Sequence, residues 1–252
     1  MVPKLLLRGL LAGVLAGLLA FLFARVFGEP LVDQAVAYEE THEQAAAALA
    51  HERGLPHHEE PELVSRPVQA GLGLFIATVV YGAALGGFFS LLFAYWNRRT
   101  SLRPRATAAV LALLGFVAIA LVPFLIYPAN PPAIGNHDTI GARTGLFFGV
   151  LLISIAAMAL AVALARRLAV RWDPWYAVLI GALAYIVVMF ATQQLLPEVH
   201  EVPPDFSAEL LWQFRTVSVG MHVVIWGTLG IAYGILMERF LAPSITRTAR
   251  QA

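Results

Sequence analysis

Long apolar runs separated by short polar segments dominate the pattern along this chain. Six runs of about twenty residues occur, over 5–27, 68–95, 106–126, 144–165, 175–196 and 217–237. A helix needs about 20 apolar residues to cross the hydrocarbon core of a bilayer. The pattern therefore predicts an all-α fold: a polytopic membrane bundle of six transmembrane helices, forming a single integral membrane domain over residues 1–252.

The first run is open to a second interpretation, as a cleaved signal peptide. Such a peptide has a short apolar core that ends in small residues. This run is longer and ends in ARVF, which favours a retained helix. Its glycines at 9, 13 and 17 recur every four residues, which allows close contact with another helix; the alternative is a chance spacing, which is common in apolar helices. The second run is also rich in glycine.

A long hydrophilic segment follows the first run. Gly28, Glu29 and Pro30 are predicted to end the first helix, and residues 32–53 read as a separate amphipathic helix that Gly54 and Pro56 terminate. We therefore expect residues 28–67 to form an extracytoplasmic loop, rich in histidine and glutamate, that contains one helix.

Residues 38–62 hold four of the seven histidines and seven of the sixteen acids. The four histidines are His42, His51, His57 and His58. Imidazole and carboxylate groups suit divalent first-row metals, so these histidines are candidate metal ligands. The alternative is a solvated loop whose histidines bind nothing, because a His-rich composition is a weak signal by itself.

Composition supports a membrane protein: 59% of the residues are hydrophobic and only 13% are charged. The chain has no cysteine, which excludes disulfides, thiolate metal sites and cysteine nucleophiles. It also lacks a phosphate-binding GxxxxGK[ST] loop, an HExxH motif and a GxSxG motif. We therefore expect neither a built-in ATPase nor an enzyme.

Charge predicts the orientation. Twelve of the seventeen basic residues fall on alternate inter-helix segments together with both termini. By the positive-inside rule, both termini are cytoplasmic. Fourteen of the sixteen acids and six of the seven histidines fall on the opposite side. An anionic surface of this kind concentrates cations before entry.

Two further polar segments are predicted on the same outer side. Residues 127–145 read as a structured turn and carry His137 and Asp138, while the segment after the fifth run carries His200 and Glu201. These four residues form a candidate second ring of metal ligands.

His222 is the one histidine inside an apolar run. An ionisable group at such a depth is a functional candidate, and here a metal ligand on the path; the alternative is a neutral histidine bonded between helices, for example to a glutamine of the fifth run. Arg143 and Arg215 are expected to pair with Asp138, Glu209 or another loop acid. The residues predicted to act in structure or gating are Arg143, Arg215, Gln193 and Ser218.

Four features follow one another along the chain: the Gly/Leu-rich first helix, the Glu/Ala/His outer segment, the block NPPAIGNHDTIGARTG and the block LPEVHEVPPDFSAELLWQFRTVSVGMHVVIW. In this order the chain resembles the CbtA family of predicted cobalt transporter subunits over nearly its whole length. The resemblance implies Co²⁺ as the transported ion, a link to cobalamin synthesis, and a small single-span, histidine-bearing partner, CbtB. The family is usually described with about five spans, one fewer than predicted here.

Together these observations predict a membrane subunit of a cobalt uptake system, located in the bacterial inner membrane. We expect no permanently bound cofactor, the lipid bilayer as surroundings and no nucleic-acid partner. Ni²⁺ is a second candidate cargo, because nickel binds nitrogen and oxygen ligands at least as well as cobalt. The alternative is a metal-binding membrane sensor or assembly factor without transport activity; an intramembrane enzyme ranks third.

Overall fold

The computed structural model describes residues 2–54, 64–132, 134–135, 139–199 and 201–248. Every regular element within these ranges is helical. Six helical segments are long and apolar enough to cross a membrane: Val2–Glu52, Arg66–Asn97, Pro104–Ile126, Ile140–Leu168, Pro174–Leu195 and Ala208–Leu241. The prediction of an all-α bundle with six candidate spans is confirmed, whereas the orientation of the termini stays a prediction.

Most of these segments are built from shorter helices joined by π-helical turns. The helices are α1 Val2–Phe23, α2 Glu29–Glu52, α3 Arg66–Val68, α4 Leu74–Asn97, α5 Pro104–Gly115, α6 Val122–Ile126, α7 Ile140–Leu168, α8 Pro174–Leu195, α9 Ala208–Thr228 and α10 Gly234–Thr248. The π-helical turns are Ala24–Gly28, Gln69–Gly73, Phe116–Leu121 and Leu229–Tyr233. Turns of this type interrupt α-helices frequently at functional sites.

The predicted end of the first helix at Gly28 to Pro30 is wrong. A π-helical turn over Ala24–Gly28 joins α1 directly to α2, and Pro30 occupies the first turn of α2. A proline inside a helix removes one backbone hydrogen bond, and here it lies just after the π-helical turn, where the regular α-helical bonding is already interrupted. The joined helix ends at Glu52, and Gly54 follows with φ +66°, so the predicted stop at Gly54 is confirmed.

Two other helices begin earlier than their apolar runs do. Helix α9 begins at Ala208, because the Ser207 hydroxyl accepts a hydrogen bond from the Leu210 N–H and caps the first turn. Helix α7 begins at Ile140, inside the segment predicted to be a turn. In both places polar residues extend a helix beyond the apolar part of the span.

The chain forms two compact units. Unit 1 comprises Met1–Leu113, Pro131–Ala133 and Asp205–Ala252, and unit 2 comprises Leu114–Asn130 and Ile134–Pro204. The polar helix α2 and the last span belong to unit 1. Helices α7 and α8 belong to unit 2.

Unit 1 is built on a direct backbone contact between α1 and α4. Gly9, Gly13 and Gly17 face Gly86, Gly82 and Thr78 respectively, so the two helices run antiparallel. A Cβ atom on Gly17 would lie 2.5 Å from the carbonyl oxygen of Thr78. This oxygen belongs to the backbone, so no side-chain rotation can relieve the clash. The predicted close packing of these glycines is confirmed, and its physical basis is the absence of side chains.

Unit 2 has a buried polar group in its centre. The Ser154 hydroxyl donates to the carbonyl of Ala118 at 2.7 Å and lies 2.8 Å from the Tyr185 hydroxyl. Ala118 lies in the π-helical turn Phe116–Leu121. Val150, Ala157 and Met189 complete the core around this group. Its buried hydroxyls are therefore satisfied by protein atoms.

Candidate functional site

His42 joins the polar helix α2 to the segment that leads into α9. Its Nδ1 atom lies 2.9 Å from the Tyr38 carbonyl oxygen, and its Nε2 atom lies 2.8 Å from Oδ2 of Asp205. A backbone carbonyl and an ionised carboxylate only accept hydrogen bonds, so both ring nitrogens must donate. While both bonds are formed, His42 has no lone pair with which to bind a metal.

Tyr38 completes this junction. Its ring lies 4.1 Å from the His42 ring and makes an edge contact at 5.0 Å with the buried ring of Phe206. The hydrogen bond from His42 is the main cause that holds the pKa of the Asp205 carboxyl below its usual range, with contributions from its own backbone and from Tyr38. One polar contact is therefore formed by Tyr38, His42 and Asp205.

A second junction lies at the base of α2. The Arg66 guanidinium lies 2.5 Å from Oε2 of Glu29 and 2.8 Å from Oδ1 of Asp33. Glu29 and Asp33 are one turn apart and share a face of α2. The side chain of Glu29 is 10% exposed, so this carboxylate depends on Arg66 for compensation. Arg66 therefore connects the beginning of α2 to α3, which follows the polar loop.

The far end of α2 has a different character. From Glu43 to Glu52 nearly all of its residues are exposed, and His51 lies on the last turn. A helix of 24 residues is about 36 Å long, so this end of α2 lies far from its junction with α1. His51 is therefore accessible to solvent on this end.

Unit 2 contains the third polar junction. The Arg143 Nη1 atom lies 2.6 Å from Oε2 of Glu201, and the Thr139 hydroxyl donates to the other carboxylate oxygen. The side chain of Glu201 is 8% exposed. Gly135 has φ +144°, and a Cβ atom there would lie 2.8 Å from both terminal guanidinium nitrogens. A side chain at position 135 would therefore require the guanidinium of Arg143 to shift from its present position.

This junction gives Glu201 a different partner from the metal ion that the sequence predicts. Sequence reasoning placed Glu201 among metal ligands and gave Arg143 a loop acid as its partner. In the structure that acid is Glu201, whose carboxylate is bound by a guanidinium and a hydroxyl. Metal binding by Glu201 would require it to leave Arg143.

His222 lies inside unit 1 on α9. Its Nδ1 atom is buried and has no hydrogen-bond partner within the described ranges. Ser218, one turn earlier, donates to the Phe214 carbonyl at 2.8 Å, so its hydroxyl serves its own helix. Gln193 is exposed on α8, in unit 2, while Arg215 is partly buried in unit 1.

The remaining predicted ligands are His57, His58, His137, Asp138 and His200, which lie outside the described residues. Across 2–54, 64–132, 134–135, 139–199 and 201–248, no three His, Asp or Glu side chains are grouped so as to hold a metal ion. The metal-ligand assignments stay predictions.

Sequence reasoning missed two of these junctions. The pairing of Glu29 and Asp33 on one helix face was a signal that it could have used, with Arg66 as the nearest basic residue after the loop. The pairing of His42 with Asp205 had no such signal, because 163 residues separate the two.

Comparison with known proteins adds the identity of the family. The family model described as "Probable cobalt transporter subunit (CbtA)" matches residues 2–238, nearly the whole chain. This chain belongs to the CbtA family. The match confirms the resemblance, and the six candidate spans make this CbtA chain a multi-pass membrane protein. No curated protein and no solved structure matches it.

A CbtA chain is described as a subunit, which implies that it works with at least one other chain. The description as a transporter subunit also agrees with a role other than catalysis. The description names cobalt as the ion that the family transports.

Proposed function

We propose that this protein is the membrane subunit of a cobalt uptake system in the bacterial inner membrane that supplies Co²⁺ for cobalamin synthesis. The family match over residues 2–238 carries the proposal. The charge pattern supports it, because fourteen of sixteen acids lie on the side that the topology prediction puts outside. A small single-span, histidine-bearing chain is the proposed partner.

Within this proposal the candidate ligands act in sequence. The polar segment 28–67 collects the ion through His42, His51, His57 and His58. His137, Asp138, His200 and Glu201 form a second ring of ligands. His222 is a step on the path through the spans.

The junctions refine which of these ligands act first. His51 is exposed on the free end of α2, whereas His42 and Glu201 are engaged by Asp205 and by Arg143. An arriving cation must release either residue from its partner before it can bind there. We therefore assign first capture to His51 and its neighbours, and later steps to His42 and Glu201.

Metal preference does not follow from such ligands alone. Nitrogen and oxygen ligands bind Ni²⁺ at least as tightly as Co²⁺, so selectivity must come from geometry and availability. Both ions belong to the proposed range of cargo, and Co²⁺ is the one that the family description supports.

The test is cobalt accumulation by cells that express the complete system, with wild-type, His222→Ala or His222→Gln protein at matched membrane levels. A metal-bound histidine needs a neutral, oriented imidazole, which alanine cannot supply. We expect His222→Ala to abolish uptake at every cobalt concentration. His222→Gln retains part of the uptake only if a hydrogen-bonding side chain is sufficient at this position.

Thr216→Ala is the matched control, because Thr216 lies on the same helix, is exposed, and donates its hydroxyl to the Trp212 carbonyl one turn earlier. Wild-type uptake by His222→Ala would remove His222 from the path. Cobalt binding without accumulation by the wild-type system would instead favour a sensor or assembly factor.

A further inference from the structure

Four polar atoms inside unit 1 are buried and have no hydrogen-bond partner within the described residues. They are Thr107 Oγ1, His222 Nδ1, Trp226 Nε1 and Tyr233 Oη. Thr107, Trp226 and Tyr233 are only 3%, 4% and 0% exposed. Buried polar atoms in folded proteins almost always bond to protein or to ordered water. Inside a bilayer the requirement is stricter, because lipid offers no partner.

Three of the four atoms belong to one helical segment. His222 and Trp226 are four residues apart on α9 and therefore lie one above the other. The π-helical turn Leu229–Tyr233 follows and ends at Tyr233. Eleven residues of helix rise about 16 Å, roughly half of a 30 Å hydrocarbon core. The unpartnered atoms therefore extend along the span rather than marking one point.

Thr107 joins this row from the neighbouring helix. A Cβ atom on Gly230 would lie 2.9 Å from the Ala112 Cβ, and one on Gly234 would lie 3.4 Å from the Ala108 Cβ. These glycines bring α5 against the last span at the position where Thr107 precedes Ala108. Thr107 thus lies next to the contact between α5 and the last span.

Comparable residues elsewhere in the chain find protein partners. Thr78, Ser90 and Ser218 each donate to a carbonyl one turn earlier in their own helices. The buried hydroxyl of Tyr185 in unit 2 lies 2.8 Å from the Ser154 hydroxyl. Thr107 and Tyr233 are at least as buried as Thr78 and Tyr185, yet no protein group among the described residues bonds to their hydroxyls.

We propose that unit 1 contains a row of ordered water molecules along the buried face of its last span, bonded to Thr107, His222, Trp226 and Tyr233. Water suits this set because the indole N–H only donates, whereas the hydroxyls and the imidazole nitrogen can also accept. None of the four groups is a carboxylate, so they offer a cation no negative charge. If the proposed transport is correct, this water continues the path from His222 and hydrates the departing cation.

The direct test is hydroxyl-radical footprinting of the wild-type protein in lipid nanodiscs, where X-rays generate radicals from water at its bound position. Trp226 and Tyr233 should be modified several-fold faster than Tyr185, which is buried to a similar degree but bonded to Ser154. Phe88, which is 73% exposed within a candidate span, is the control for diffusion of radicals through the bilayer. Equal, slow modification of Tyr233 and Tyr185 would overturn the proposal.

A second measurement uses substitutions that remove one polar group at nearly constant shape. Deleting an unsatisfied buried hydroxyl stabilises a protein, whereas deleting a water-bonded one does not. We therefore expect Tyr233→Phe and Thr107→Val to leave the melting temperature unchanged or lower, and Tyr185→Phe to lower it. A higher melting temperature for both Tyr233→Phe and Thr107→Val would show a dry site and contradict the proposal.

The two proposals can fail separately. Rapid modification of Trp226 and Tyr233 in a protein that accumulates no cobalt would keep the water row and reject transport. Cobalt uptake with a dry Tyr233 would keep transport and place its path elsewhere.

Discussion

At the scale of single residues, the predicted ligands that the structure describes have unlike surroundings. His51 is exposed, His42 is bonded through both ring nitrogens, Glu201 is paired with Arg143, and the Nδ1 atom of His222 is buried without a partner. A residue's type made each of them a candidate for metal binding. The neighbour of each determines whether a ligand atom is free.

The ion pair in unit 2 gives a prediction at this scale. Arg143→Ala leaves the buried Glu201 carboxylate without a counter-charge, which costs about 3–5 kcal/mol in comparable pairs. We expect a clearly lower melting temperature in detergent. The double variant Arg143→Ala, Glu201→Gln should regain part of the loss, because the remaining side chain is neutral.

Arg171→Ala is the matched control, since Arg171 is an exposed arginine of the same unit. Equal melting temperatures for Arg143→Ala and Arg171→Ala would show that the pair does not stabilise the fold. A double variant less stable than Arg143→Ala alone would also contradict the expected compensation.

At the scale of elements, the contact between α1 and α4 organises unit 1. Glycines at four-residue spacing on α1 meet glycines on α4, so the two backbones touch. The same α1 continues through a π-helical turn into α2, whose base is joined to α3 by Arg66. The two ends of the polar segment 28–67 therefore lie on the same two chain segments that form the centre of the unit.

Gly13→Ala tests this contact. The added methyl group would collide with the carbonyl oxygen of Gly82, which belongs to the backbone and cannot rotate away. Overpacking of this kind costs about 1–3 kcal/mol, so the melting temperature should fall. Gly227→Ala is the control, because a Cβ there meets nothing within 4 Å. Equal stability of the two variants would mean that the helices are further apart than described.

At the scale of the whole molecule, the charge pattern predicts that both termini and the Arg98–Arg105 segment are cytoplasmic, with His57 outside. The chain has no cysteine, so a single introduced cysteine reports its own position. A membrane-impermeant maleimide should label His57→Cys in intact cells, and should label Arg103→Cys only after permeabilisation. Labelling of His57→Cys from the cytoplasmic side alone would reverse the topology and the proposed direction of transport.

The sequence by itself determined the class of protein, the six spans and the close-packing glycines. These features depend on the composition of short windows and on helical spacing, both of which can be read locally. The positions of the polar segments follow in the same way. The stop at Gly54 was also predictable, because its positive φ is a local property of glycine.

Only the tertiary structure decided the continuity of α1 and α2, since a π-helical turn accommodates Pro30 where local propensity predicts an end. It also decided the partners. His42 meets Asp205 across 163 residues, and Glu201 meets Arg143 because Gly135 leaves space for the guanidinium. The structure also decided which buried polar atoms have a partner: the Tyr185 hydroxyl has one, whereas the Tyr233 hydroxyl has none among the described residues. The reason is that partners come from the helices packed around an atom, and no single stretch of sequence specifies that packing.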